Sequence, residues 1–441
     1  MRDEICNLCN QCHIRSDDPV FPEKNPRAIW EWLLLLFALP GIGIVIYLLF
    51  GTEPVHERSR YTEPRLFEHN KIEIITRGLD KFANLFEDIK NAQTSIDLEY
   101  YIIRRDFLSY ELISLLKEKA SEGVRIRLLY DGMGCLGGSV LGRRNLQWLK
   151  NLKQSGIEVS DFFSCSLRQL PLRLNYRNHR KIAVIDNCIG YLGGFNIGRE
   201  YLGLNKKLGC WRDTHLRITG DSVQGLSEQF DSDWESAANK QFPDIHRSVG
   251  TKKPACENGN TKIRLLAGGP DRRVQTIRNH FFRIIVGATH SLDIQTPYFI
   301  PDESILCALL CAAQHGVRIR IMIPCKPDHP VVYQATLSYL GELLAAGVEC
   351  YQYQEGFLHA KGIIADDAVM SFGTANMDVR SFLLNYEINA VIYGREEVGQ
   401  MREQFERDLL RSVRLTREAY DARNIVTKAR ECLARLLSPI L

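Results

Sequence analysis

The sequence predicts an α/β chain of two tandem repeats, each built on a mixed, largely parallel sheet, preceded by a membrane-spanning helix. Three observations predict this. His179-Arg-Lys181, Asp186 and Asn196 return as His359-Ala-Lys361, Asp366 and Asn376, with His-to-Lys, His-to-Asp and His-to-Asn spacings of 2, 7 and 17 in both copies. Apolar strand patterns alternate with helical spacing in the same order within each copy. From Trp32 to Phe50, 19 consecutive residues carry no charge.

The repeat extends well beyond the motif. Gly123-Val-Arg-Ile-Arg127 recurs unchanged as Gly316-Val-Arg-Ile-Arg320, Ser95-Ile-Asp-Leu answers Ser291-Leu-Asp-Ile, and Gly156-Ile-Glu-Val159 answers Gly347-Val-Glu-Cys350. The offset drifts from 196 to 180 residues, as small loop insertions would produce. Units near 180 residues can each bury a core, so this is a duplicated domain rather than a short-period solenoid.

The chain divides in order. Residues 1–27 form a tail with Cys6, Cys9, Cys12 and His13 in a C-x2-C-x2-C-H run. Its end matches a haem-attachment pattern, but four ligands in eight residues cannot readily surround one tetrahedral ion. Nothing else suggests electron transfer, so incidental cysteines are the preferred reading. Residues 28–51 are the predicted span, about 30 Å of helix with aromatic residues near both ends. Arginines and lysines balance on its two sides, so charge leaves orientation undecided. A linker (52–68) leads to repeat one (69–247), with strands at 95–103, 124–130 and 157–162 and helices at 110–120 and 145–155. A polar Gly/Pro/Asn linker (248–262) precedes repeat two (263–394), with strands at 291–300, 317–323 and 348–353 and helices at 304–314 and 337–346. The basic tail (395–441) is expected to pack as one or two helices, with a membrane-surface helix as a second reading.

Composition is that of an ordinary globular chain: 45% hydrophobic, 25% charged, net charge +3. No basic excess marks a nucleic-acid binder. The 13 cysteines show no paired spacing in the repeats and resemble reduced thiols.

The motif carries phosphoryl-transfer chemistry. Residues i and i+2 of a strand share a face, so each histidine projects with its lysine, His179 with Lys181 and His359 with Lys361. One histidine can attack phosphorus while the other protonates the leaving oxygen. The lysines neutralise phosphoryl charge, and the Asn196 and Asn376 amides can donate to it. Asp186 and Asp366 belong to the motif set, but their odd spacing turns them to the other face and suggests structural hydrogen bonding. Each imidazole needs an acceptor on its second nitrogen. Asp213 follows His179 by 34 residues and Glu387 follows His359 by 28, both among apolar or aromatic neighbours, and both are candidates. No metal-ligand cluster shows in the repeats, and neither a metal nor another cofactor is expected.

Longer strings narrow the reading. Asn175-Tyr-Arg-Asn-His-Arg-Lys181, Gly193-Gly-Phe-Asn-Ile197, Trp211-Arg-Asp-Thr-His215, Phe230-Asp-Ser-Asp-Trp234, Thr296-Pro-Tyr-Phe-Ile-Pro-Asp302, Gly373-Thr-Ala-Asn-Met-Asp-Val-Arg-Ser381 and Leu384-Asn-Tyr-Glu387 resemble bacterial cardiolipin synthases of the phospholipase D superfamily. The resemblance runs from the apolar segment nearly to the end of the chain. It implies phospholipase D-like repeats packed about a pseudo-twofold axis, with one active site between them. It also implies transfer of a phosphatidyl group between two phosphatidylglycerol molecules, giving cardiolipin and glycerol, with anionic phospholipids and the membrane as partners and no nucleic acid. A cytoplasmic catalytic domain follows from the same likeness, as does His179 as the attacking residue, whereas a single pass of the cell membrane is expected from the one apolar run at 28–51. Members commonly carry two N-terminal spans, whereas this chain has one. Arg168, Arg173, Arg177 and Arg180 alternate with leucines before His179 and could receive an anionic headgroup or form a solvated edge. A hydrolase passing the same intermediate to water, a nuclease, and a silent scaffold are the competing classes.

Overall fold

In a computed structural model of the chain, the described residues are 63–136, 140–162, 175–238, 258–272 and 274–438, with isolated helical positions Leu33, Leu36, Phe37, Gly41 and Gly43. The tail with Cys6, Cys9, Cys12 and His13, the remainder of the expected span, and Arg168 and Arg173 lie outside them. Among the described residues no helix is long and apolar enough to cross a membrane. The described residues from 63 onward belong to one compact unit, which holds everything below.

The repeats share one strand order. Across the first sheet run Glu158–Phe162, Arg125–Asp131, Ser95–Tyr100, Lys181–Ile185, Ile189–Gly193, Trp211–Gly220 and Leu66–Arg77. Across the second run Glu349–Tyr353, Arg318–Pro324, Ser291–Gln295, Gly362–Ala365, Val369–Gly373, Asn385–Ile392 and Thr261–Gly268. They join where Leu66–Arg77 pairs antiparallel with Thr261–Gly268, Phe67 opposite Ile263. The first strand of each repeat therefore begins inside a segment expected to be linker.

The sheets are mixed, as expected, but not largely parallel. Only the first three strands of each are mutually parallel, and all later neighbours run antiparallel. The cause is local. After each motif strand the chain reverses through left-handed residues, Asp186 and Asn187 (φ 52° and 55°) and Asp366 and Asp367 (φ 50° and 52°). Asp and Asn tolerate that conformation, and so tight a reversal returns an antiparallel strand.

The repeated Gly-Val-Arg-Ile-Arg is structural. Arg127 Nε and Nη2 donate to Asp97 at 2.7 and 2.8 Å, and Arg320 Nε and Nη2 donate to Asp293 at 2.6 and 2.8 Å. Each guanidinium also reaches an acid on a long covering helix, Asp231 on Ser222–Ala238 or Glu406 on Arg395–Leu409. Arg395–Leu409 thus plays in repeat two the part that Ser222–Ala238 plays in repeat one, rather than belonging to a separate tail. Capping fixes other helices: the Asp106 carboxylate accepts from Leu108 N and Ser109 N while Ser109 Oγ accepts from Asp106 N, and Asp302 accepts from Ile305 N.

Strand alternation builds three cores. Ala183 and Ile185 enter the core of repeat one, and Ile363 and Ala365 that of repeat two. Ile182, Val184 and Ile364 point the other way, into a shared core with Leu192, Phe372 and Ile388. At ~1.5–3 kcal/mol per fully buried aliphatic side chain, this shared core fixes the repeats against each other. Seven described cysteines are free thiols, but Cys188 is disulfide-bonded, a departure from uniformly reduced thiols.

Candidate active site

Two short inter-repeat pairings position the histidines. Arg177–Asn178 lies parallel to the start of Asn385–Ile392, with Asn178 opposite Tyr386, and His179 N donates to Tyr386 O at 2.9 Å. Phe357–Leu358 lies parallel to the start of Trp211–Gly220, with Leu358 opposite Arg212, and His359 N donates to Arg212 O at 2.7 Å. Each histidine therefore stands beside the residue that follows its opposite number on the other repeat. Those residues are Glu387 and Asp213. The acids are crossed: both Glu387 carboxylate oxygens lie 3.0 Å from His179 Nδ1, and Asp213 Oδ2 lies 2.6 Å from His359 Nδ1. Sequence order paired each acid with the histidine of its own repeat, and strand register overrides it.

The charge states follow from burial and these partners. Burial opposes ionisation of Asp213, but Lys361 and His359 outweigh it and hold the carboxyl at about 2. Glu387 is likewise held low, because His179 and Lys181 outweigh its burial. Both carboxylates are ionised acceptors, so each Nδ1 carries the donated hydrogen and Nε2 is the nitrogen left for phosphorus. Burial lowers both imidazoles, with neighbouring lysines adding to it, His359 to about 4. Burial also lowers Lys181 to about 7 and Lys361 to about 8. Lys181 Nζ donates to His179 O at 2.6 Å, and Lys361 Nζ to His359 O at 2.5 Å. Lys361 Nζ also lies 2.7 Å from His359 Nδ1, but that nitrogen already donates its one hydrogen to Asp213, so the carbonyl is the acceptor of the ammonium.

Both histidines open on one cavity of about 540 Å³, which Asn196 and Asn376 also line. Asn196 accepts from Ile102 N at 3.1 Å and donates to Tyr201 at 3.1 Å, and Asn376 donates to Asp378 at 3.2 Å. Each amide keeps a second N–H. Gly194 explains part of the Gly-Gly-Phe-Asn string, since a Cβ there would sit on the Asp213 carboxylate.

The motif aspartates Asp186 and Asp366 leave the catalytic set for the structural hydrogen bonding that their odd spacing suggests. Asp186 accepts from Gln93 N, Thr94 N, Thr94 Oγ1 and Ser95 N at 2.7–2.9 Å. Asp366 accepts from Thr289 N, Thr289 Oγ1, His290 N and Ser291 N at 2.6–2.9 Å. Both tie a hairpin turn to the start of a neighbouring strand at the end remote from the histidines. Arg180 is also unavailable to a headgroup. It is 1% exposed, ion-paired with Asp233, and donates to Gly268 O and Glu387 O.

Arg177 does line the cavity, with Arg104, Arg380, Tyr101, Tyr298 and Trp211. Of these, only Arg177 is marked by the sequence as a candidate for the headgroup. Tyr298, Arg380 and Trp211 sit within quoted strings, so the signal existed, but only the fold brings them to one wall. Tyr101 packs edge-on to His179 and Trp211 lies against His359, each with ring centroids 4.9 Å apart. No group of three or more His, Cys, Asp or Glu among the described residues is set to hold a metal.

A duplicated α/β fold that brings two histidine–lysine motifs to one cavity defines a phosphodiester-transferring enzyme. A family model described as cardiolipin synthase, phospholipase D-like domain, matches residues 85–234 and 281–409, and one described as phospholipase D-nuclease N-terminal matches residues 14–51. The chain is 41% identical to a cardiolipin synthase of Oceanobacillus iheyensis, over 95% of this chain and 94% of that one. It is 40% identical to the major cardiolipin synthase ClsA of Bacillus subtilis, over 96% and 95%. The chain belongs to the phospholipase D-like cardiolipin synthase family. The crystal structure of phosphatidylserine synthase from Haemophilus influenzae shares the fold, with a TM-score of 0.67 at 15% identity over 85% of this chain and 97% of that one.

Proposed function

We propose that this enzyme makes cardiolipin by transferring a phosphatidyl group from one phosphatidylglycerol to another. The observation that carries the chemistry is the crossed pair of imidazoles, each with Nδ1 engaged and Nε2 available on one cavity. His179 Nε2 attacks phosphorus, and the bond from phosphorus to the glycerol oxygen breaks. His359, as imidazolium, gives that oxygen its proton and glycerol leaves. Burial makes His359 neutral at rest, and an anionic phosphodiester beside it favours protonation. A hydroxyl of the second phosphatidylglycerol then loses its proton to His359 and attacks the phosphatidyl-His179. Cardiolipin forms and His179 is released. Lys181 and Lys361 balance phosphoryl charge, and the second N–H groups of Asn196 and Asn376 are placed to donate to it. The reading includes a single-pass anchor at 28–51, supported by the charge-free run, with the repeats on the cytoplasmic side in keeping with the family resemblance.

The test is turnover of phosphatidylglycerol vesicles by the purified full chain. Cardiolipin and glycerol in equal amounts are expected. Phosphatidic acid as the sole product would replace the transferase reading with a hydrolase, and no turnover would remove both.

A further inference from the structure

The helix Ile425–Leu436 is docked with its apolar side outward. The side against the protein is small or polar: Glu431 and Ala434 are buried there. Glu431, the one acid of this helix, is turned inward and bonded to Arg423 Nη1 at 2.5 Å. The outward side carries Ile425, Val426, Leu433 and Leu436, which are 81, 55, 64 and 76% exposed. With Ala429, Cys432 and Leu437 they span roughly 140° of arc at 3.6 residues per turn. Lys428 and Arg430, both exposed, lie on its two margins. Exposed leucines gain nothing from water, so this face is built for another phase. The cationic margins and the absence of any outward acid favour an anionic one.

Its position gives the face a use. Ala434 packs in a small cluster with Ile300, Ala335 and Val332. Ile300 and Val332 also line the catalytic cavity. Ala434 and its cluster thus join the helix to the wall of the catalytic cavity.

We infer that Ile425–Leu436 is an interfacial helix that lies in the surface of an anionic bilayer and sets the cavity at the level of its substrate's headgroups. The inference rests on the phospholipid reading above, and its test needs no turnover. Cys432 is an exposed thiol on the outward arc, and Cys307 is an exposed thiol on another helix, Glu303–Gln314. The full chain is reconstituted in phosphatidylcholine vesicles with or without phosphatidylglycerol. Alkylation of both thiols by a water-soluble maleimide is followed by peptide mass spectrometry. Phosphatidylglycerol should slow Cys432 about tenfold relative to Cys307. Equal rates at every lipid composition would overturn the inference. Protection that follows protein density rather than lipid charge would overturn it in favour of a second copy of the chain. Leu433→Ser with Leu436→Ser should abolish the protection while turnover of a dispersed short-chain phosphatidylglycerol is unchanged. Failure of that turnover in the parent chain would count against the lipid reading alone.

Discussion

The half-site around His179 and the one around His359 use the same parts differently, and the difference lies beneath the imidazoles. Behind His359, Gln295 Nε2 donates to Asp408 at 2.8 Å, and Arg212 pairs with the same carboxylate at 2.8 Å. Behind His179, the corresponding places hold Glu99 and Asp233, with Arg180 paired to Asp233. Two carboxyls and one guanidinium leave an excess acid. Burial, with Asp233 beside it, pushes the Glu99 carboxyl well above its ordinary range. Glu99 and Asp233 each have one buried oxygen without another partner, which a shared proton satisfies. A protonated Glu99 donates to Asp233 as Gln295 donates to Asp408. Each bed thus carries one hydrogen bond onto its helix carboxylate, one from an acid and the other from an amide, but Glu99 Oε1 also accepts from Asn178 whereas Gln295 Oε1 has no partner among the described residues.

The strongest way to break the symmetry is at the histidines. His179→Ala and His359→Ala should each reduce cardiolipin formation by ~10⁴-fold or more. A phosphatidyl ester with a nitrophenolate leaving group needs no protonation. His359→Ala should still release a burst of nitrophenolate from it, and His179→Ala should not. A burst only in His179→Ala would exchange the two roles.

Next come the crossed acids. Asp213→Asn and Glu387→Gln should each slow turnover by ~10²–10⁴-fold, because the imidazole loses its orienting acceptor. Glu387→Gln should change the attacking step and Asp213→Asn the proton-transfer step. Two residues acting on one histidine would give the same step in both variants.

A smaller effect separates the lysines. Their ammonium groups are charged below about 7 (Lys181) and about 8 (Lys361), and neutral above. Activity should therefore fall as pH rises through that window. Stability has the opposite sign: the unfolded lysines, near ~10.4, bind protons that the folded ones do not, so folding is favoured as pH rises through the window. A pH–rate profile beside thermal melts checks this, and a melting temperature that falls together with activity would contradict it.

The smallest effect is expected at Glu99. Glu99→Gln should cost under ~1 kcal/mol, since it replaces one donor by another, whereas Gln295→Leu leaves Asp408 without that donor and should cost ~1–3 kcal/mol. Chemical denaturation measures both, and a loss in Glu99→Gln as large as in Gln295→Leu would refute the protonated state of Glu99.

Much of this was legible in the sequence where it depended on local spacing. His179 with Lys181, and His359 with Lys361, follow from the two-residue period of a strand, and the odd spacing of Asp186 and Asp366 already turned them away. Asp213 and Glu387 were recognisable as buried acids in apolar company. Their partners were not, because partner choice is set by the register of Arg177–Asn178 and Phe357–Leu358 against strands of the other repeat. The antiparallel majority was hidden for a similar reason. Short apolar strands look alike in either direction, and only the left-handed turns at 186–187 and 366–367 decide. Arg180 read as a surface cation because its partner, Asp233, lies 53 residues away.

The crossed acids also act as a checkpoint on assembly. Folded alone, either repeat would present a histidine without its carboxylate and a carboxylate without its histidine. The nucleophile becomes competent only when the two halves have docked in register. A nascent chain with one repeat folded therefore carries only half of the reaction centre.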